Sequence, residues 1–127
     1  RGRRMSNLKV LLVDDEEEFV SALAERLDIR GIDSQVATDG EQALEILESQ
    51  SFDVIVLDVI MPGISGLEVL QRVKEMQNKA AIILLTGHGS TKEGLEGMRM
   101  GAFDYLMKPL DIDELIAKMK EAAAQKA

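Results

Sequence analysis

With 127 residues the chain is the size of one ordinary domain and can bury one full core. Lys and Arg number 15 against 23 Asp and Glu, and the formal charge of -8 has the wrong sign for a general binder of nucleic acid or anionic membrane; a cation or a basic partner fits better. The absence of cysteine excludes a disulfide framework and a thiolate metal site, and neither a signal-peptide pattern nor an apolar run of the roughly 20 residues needed for a membrane span occurs, so a cytoplasmic location is expected.

Taken from the start, the tetrapeptide RGRR ahead of Met5 reads as an expression remnant. Setting residues 1–5 aside as remnant and start leaves residues 6–127 as a single expected domain, and losing the three arginines takes the charge from -8 to -11. A first strand is predicted over Lys9–Val13, followed by five acids from Asp14 to Glu18 and by a helix starting after Asp15, with Val20, Leu23, Ala24 and Leu27 on its apolar face. Gly31 marks that helix's end. Ser34–Ala37 is short and mixed, as an edge strand would be, whereas Asp53–Leu57 and Ala80–Leu85 are nearly continuous apolar runs, the pattern of strands covered on both faces. Phe103–Met107 supplies a fifth strand.

Helix starts are written in capping chemistry, in which a Ser or Asp oxygen satisfies orphan backbone N–H groups and a Glu or Gln three positions on reaches back. Asp39 with Gln42, Ser65 with Glu68, Ser90 with Glu93 and Asp111 with Glu114 all carry this pattern. The matching apolar stripes are Ala43, Leu44 and Leu47; Leu70, Val73 and Met76; and Ile112, Leu115, Ile116 and Met119. The fourth helix, over Thr91–Met100, contains Gly94 and Gly97, each costing about 1 kcal/mol relative to alanine. Either close packing or ease of movement explains them. Met98 and Met100 on this helix suit core filling, with a partner contact as the other use.

Strict alternation of strands and helices with short connections predicts an α/β fold, a doubly wound parallel sheet with helices on both faces. With the polar second strand at an edge the expected order is 2-1-3-4-5, and ligands of such folds sit beyond the strand carboxyl ends where the order reverses. The residues just past the strands are Asp14 and Asp15, Asp58, Thr86 and Lys108, all on that one rim. Three carboxylates so gathered repel one another, and a hard divalent ion such as Mg²⁺, held by carboxylates and phosphate oxygens, resolves the repulsion. Glu16, Glu17 and Glu18 chiefly suit the positive end of the helix dipole, with Glu16 nearest the rim.

These residues also carry a family resemblance. VDDE at Val13–Glu16, DVIMPGISGLE at Asp58–Glu68, LLTGHG at Leu84–Gly89 and DYLMKPL at Asp104–Leu110 resemble, in order and spacing, the receiver domain of bacterial two-component response regulators. The likeness runs from about Lys9 to Lys120 and implies the flavodoxin-like (βα)5 fold. It implies Asp58 as phosphoacceptor for a histidine kinase or phosphotransfer protein, within a signalling domain that assists its own phosphorylation and dephosphorylation. It further implies Asp15 and Asp58 as direct Mg²⁺ ligands, Asp14 as a water-mediated one and the Ile60 backbone carbonyl as another. Lys108 and the Thr86 hydroxyl would bind phosphoryl oxygens, and the Lys108–Pro109 peptide is expected to be cis.

The resemblance makes Thr86 and Tyr105 a switch pair that reshapes the surface of the fourth helix, fifth strand and fifth helix, while Ile60 and His88 flank the site and tune dephosphorylation. A fused or separate output domain and a phosphorylation-linked dimer are the further partners it implies. Other readings remain: a receiver fold used without phosphorylation, or a Mg²⁺-dependent aspartate-nucleophile phosphohydrolase, which would place a second aspartate where this chain has Ile60. GHGSTKEG lacks the ending of a P-loop, and a flavin binder would need a long phosphate loop after the first strand.

Overall fold

A computed structural model describes residues 8–87 and 90–126. Every predicted strand forms within a residue of its expected ends: β1 (Lys9–Val13), β2 (Asp33–Ala37), β3 (Val54–Asp58), β4 (Ala81–Thr86) and β5 (Asp104–Met107). Between and after them run α1 (Glu17–Ile29), α2 (Gly40–Ser49), α3 (Gly66–Glu75), α4 (Thr91–Arg99) and α5 (Ile112–Lys126). The strands are parallel in the order β2-β1-β3-β4-β5, with the mixed β2 at an edge.

Alternation along each strand divides the core in two. Leu11, Val13, Ile55, Leu57, Ile82 and Leu84 face one side, where they meet Ala43 and Leu47 of α2 and Val69, Leu70 and Val73 of α3. Val10, Leu12, Val54, Val56, Ile83 and Leu85 face the other, against Val20, Leu23 and Leu27 of α1 and Ile112, Leu115 and Met119 of α5. Burial on both faces is why the central strands tolerate no polar alternation.

The N-cap half of the capping pattern holds at three of its four positions; of the partners three residues on, Gln42 accepts from the Thr38 N–H at 2.7 Å and Glu68 accepts from Arg72 at 2.8 Å. Asp39 accepts from the Gln42 N–H at 2.7 Å, Ser65 from the Glu68 N–H at 3.2 Å, and Asp111 from the N–H groups of Asp113 and Glu114. Ser90 is the exception. Its hydroxyl turns back to donate to the Gly87 carbonyl at 2.8 Å, so it makes no side-chain cap. Met76 also departs from expectation, because α3 ends one residue earlier and leaves its side chain 41% exposed at the helix end instead of in the core. Gly31, at φ 81°, takes the left-handed turn that carries the chain out of α1. The Lys108–Pro109 bond is cis, as expected.

Gly94 and Gly97 are both buried, and their reason is close packing. A Cβ at Gly97 would lie 2.1 Å from Leu84 Cδ1, and one at Gly94 would lie 2.8 Å from Thr86 Cγ2 and 3.0 Å from Tyr105 Cδ2. The helix therefore sits against β4 and β5 at a distance only glycine permits.

Candidate functional site

Parallel strands in one register end on one rim, so the residues at their carboxyl ends become neighbours although they are far apart in sequence. The Asp14 N–H is tied to the Ala37 carbonyl at the end of β2 and the Lys108 N–H to the Thr86 carbonyl at the end of β4, which fixes each residue to the tip of the strand beside its own. Asp58, the last residue of β3, pairs with Leu85 in the sheet. Asp14 is 1% exposed, Asp58 6% and Thr86 0%.

The two buried aspartates are held alike. Asp14 Oδ1 accepts from the Glu16 N–H at 2.9 Å, and Asp58 Oδ1 accepts from the Ile60 N–H at 3.1 Å. Each thereby keeps its Oδ2 for the pocket. Lys108 Nζ lies between these oxygens, 2.8 Å from Asp14 Oδ2, 3.5 Å from Asp58 Oδ2 and 2.5 Å from Glu16 Oε1. The ammonium also stands 4.5 Å from the centre of the Phe19 ring, a cation–π distance.

Burial pushes the Asp58 carboxyl up from its usual 3.8 to about 6, because a charged carboxylate loses water there. The Ile60 N–H opposes that shift, the Asp14 charge adds to it, and Lys108 opposes it. For Lys108 burial pulls downward, but the carboxylates of Asp14, Glu16 and Asp58 outweigh it and hold the ammonium well above its usual range. Lys108 is charged at any ordinary pH.

Asp14, Glu16 and Asp58 each offer an oxygen within 4.8 Å of the others'. Asp15 is not in this group; it lies one residue beyond Asp14 and is half-buried. Asp14 Oδ2 is buried and, although its charge is matched by Lys108 at 2.8 Å, no hydrogen bond of proper geometry reaches it. A buried carboxylate oxygen in that condition suits a hard cation. In sequence Glu16 suits the helix dipole, and the one signal for a second role is its place beside the rim. Its lysine partner is 92 residues away.

Thr86 is fully buried and its hydroxyl donates to the Leu106 carbonyl at 3.4 Å. Tyr105 is half-buried and packs on the core beside Gly94. Ile60 is 55% exposed just outside Asp58, and His88 lies outside the described residues. A further residue of consequence is Gly66, for which sequence reasoning gave no role. A Cβ there would meet the Asp58 carbonyl oxygen at 2.1 Å and Val59 Cα at 2.6 Å, so α3 can begin directly against the strand end that carries Asp58.

The profile of the family described as response regulator receiver domain matches residues 10–120. The transcriptional regulatory protein CpxR of Klebsiella pneumoniae is 42% identical over 112 residues, covering 88% of this chain and 47% of that protein. CpxR of Escherichia coli K12 is 41% identical with the same coverage, so the chain spans about half the length of the curated relatives it matches. Among solved structures, the receiver domain of the Francisella response regulator 1452 has a TM-score of 0.87 at 34% identity, covering 95% of this chain and 100% of that one. Full-length FixJ from B. japonicum has a TM-score of 0.90 at 34% identity, covering 96% of this chain and 60% of that one. On sequence, strand order and backbone alike, this chain belongs to the receiver domains of two-component response regulators.

Proposed function

We propose that this chain, as one receiver unit over residues 6–127, accepts a phosphoryl group on Asp58 from the phosphohistidine of a histidine kinase or phosphotransfer protein, in a Mg²⁺-dependent reaction. The observation that carries the reading is a buried carboxylate at the tip of β3 with one oxygen held by its own loop and the other turned toward a lysine. Asp58 Oδ2 is the nucleophilic oxygen. Near neutral pH a carboxyl titrating at about 6 is mostly ionised, as attack requires. The new bond joins Oδ2 to phosphorus while the bond from phosphorus to the imidazole nitrogen breaks, and the histidine leaves with that electron pair and takes up a proton.

Asp15 and Asp58, with Asp14 behind them and the Ile60 carbonyl alongside, are the residues that would hold Mg²⁺. Once bound, the ion would neutralise charge on the transferring phosphoryl oxygens. Lys108 then pairs with one phosphoryl oxygen and fixes the group's orientation. The Thr86 hydroxyl leaves Leu106 for another, and Tyr105 repacks into the space released. At Gly94 there is no room for a side chain between α4 and Thr86 or Tyr105, which supports α4 as the element that senses the change.

Leu95, Met98 and Met107 expose apolar surface on α4 and β5, which supports the α4-β5-α5 face as the output surface for a phosphorylation-linked dimer or for an output domain, fused or separate. The relatives' greater length supports a fused one. Ile60, exposed beside Asp58, and His88 are the tuning positions for loss of the phosphoryl group by hydrolysis. Incubation with a small phosphodonor and Mg²⁺ tests the reading by intact mass. The parent is expected to gain one phosphoryl group and Asp58→Asn none; equal labelling of both, or of neither, refutes it.

A further inference from the structure

Lys108 is held from the wrong side for its work on Asp58. Its nearest anions are Glu16 at 2.5 Å and Asp14 at 2.8 Å, with Phe19 beneath the ammonium at 4.5 Å, and all three belong to β1's tip and the start of α1. Asp58 is the most distant of its three carboxylates, at 3.5 Å. An ammonium has three protons to donate, and here Glu16 takes a short, charge-assisted bond. The Asp14 pairing is buried, whereas the Glu16 side chain is 61% exposed, so water screens this contact and makes it the easier one to release.

We propose that Glu16 is a positioning residue that holds Lys108 short of Asp58 until a phosphoryl group draws it away. The inference builds on the phosphoacceptor reading: phosphoryl oxygens and the Glu16 carboxylate compete for one ammonium. Deleting the carboxylate therefore strengthens binding of a phosphoryl group, although Glu16 never touches the reacting atoms. A helix-dipole role alone would make Glu16 and Glu17 equivalent, since both are exposed acids at the start of α1.

The test titrates beryllofluoride, as the phosphoryl mimic, into the parent, Glu16→Gln, Glu16→Asp and Glu17→Gln. Each is held at Mg²⁺ saturation determined for that variant, which removes any effect of charge on the ion itself. Glu16→Gln is expected to bind the mimic about two- to fivefold tighter, the range a partly exposed ion pair allows. Glu17→Gln should match the parent, and Glu16→Asp should fall between the parent and Glu16→Gln. Without the mimic, the NMR signal of the Lys108 ammonium nitrogen should shift in Glu16→Gln and stay put in Glu17→Gln. Equal or weaker mimic binding by Glu16→Gln, an equal gain in Glu17→Gln, or an unmoved Lys108 signal overturns the proposal. A parent that binds no mimic overturns the phosphoacceptor reading instead, while the Lys108 signal still decides whether Glu16 holds the lysine.

Discussion

Asp58 is ionised at a cost that the rest of the fold carries. Its carboxyl titrates at about 6 in the folded chain against 3.8 for the ordinary group, so the native state binds this proton more tightly than the unfolded one. Stability from that difference is fully present below about pH 4 and is lost as pH rises through about 6. At roughly 1.4 kcal/mol per pKa unit the loss is at most about 3 kcal/mol. Without divalent cations, Asp58→Asn should therefore be more stable than the parent above pH 6, and the gap should close below pH 4; urea melts at both pH values check it. The placement of Asp14, Asp58, Thr86 and Lys108 at the strand tips was legible from sequence because each ends or follows an apolar run. The pairing of Glu16 was not, because its partner Lys108 reaches it from the end of β5, with two strands between β5 and β1 in the sheet, and the direction of the Thr86 hydroxyl toward Leu106 depends on a neighbouring strand that no local pattern reveals.

Close approach between elements explains the glycines better than softness does. In Gly97→Ala the new methyl would press on Leu84, which is fully buried, and would also come close to Leu67. Overpacking of about 1–3 kcal/mol should exceed the roughly 1 kcal/mol gained in helix propensity, so the variant should be destabilised in chemical denaturation. Gly66→Ala should cost more, about 3 kcal/mol or above, because its methyl meets backbone at Asp58 and Val59 that no rotamer change can move. It should also weaken binding of a phosphoryl mimic, since the strand end bearing the nucleophile must shift. The N-caps of α2, α3 and α5 were legible in sequence because their side-chain oxygens act within three residues of themselves. At α4 the same letters failed: Ser90 lies at φ -114° and ψ 21°, outside the extended region that Asp39 and Ser65 take, and its hydroxyl donates to the Gly87 carbonyl.

Strand order, edge assignment and the rim on which the strand-tip residues gather followed from a polar β2, short connections and right-handed crossovers, all of which are global consequences of local patterning. What patterning could not supply is which carboxylates meet: Glu16 joins Asp14 and Asp58, while the neighbouring Asp15 stays outside the group. Among the described residues one ammonium faces three acids, two of them buried and Glu16 exposed, which leaves a net negative pocket. A divalent ion that binds only the folded chain should raise its stability by about 2.7 kcal/mol at a hundred times its dissociation constant. Thermal melting with and without Mg²⁺ checks this, and the increment should shrink in Asp58→Asn.

The same imbalance makes the solvent a participant in folding. Near neutrality, water stripped of divalent ions is a harsher medium for this sheet, since among the described residues Lys108 is the cation that pairs with the acids at its rim. The molecule thus registers its ionic surroundings through its own resilience before any signalling chemistry begins.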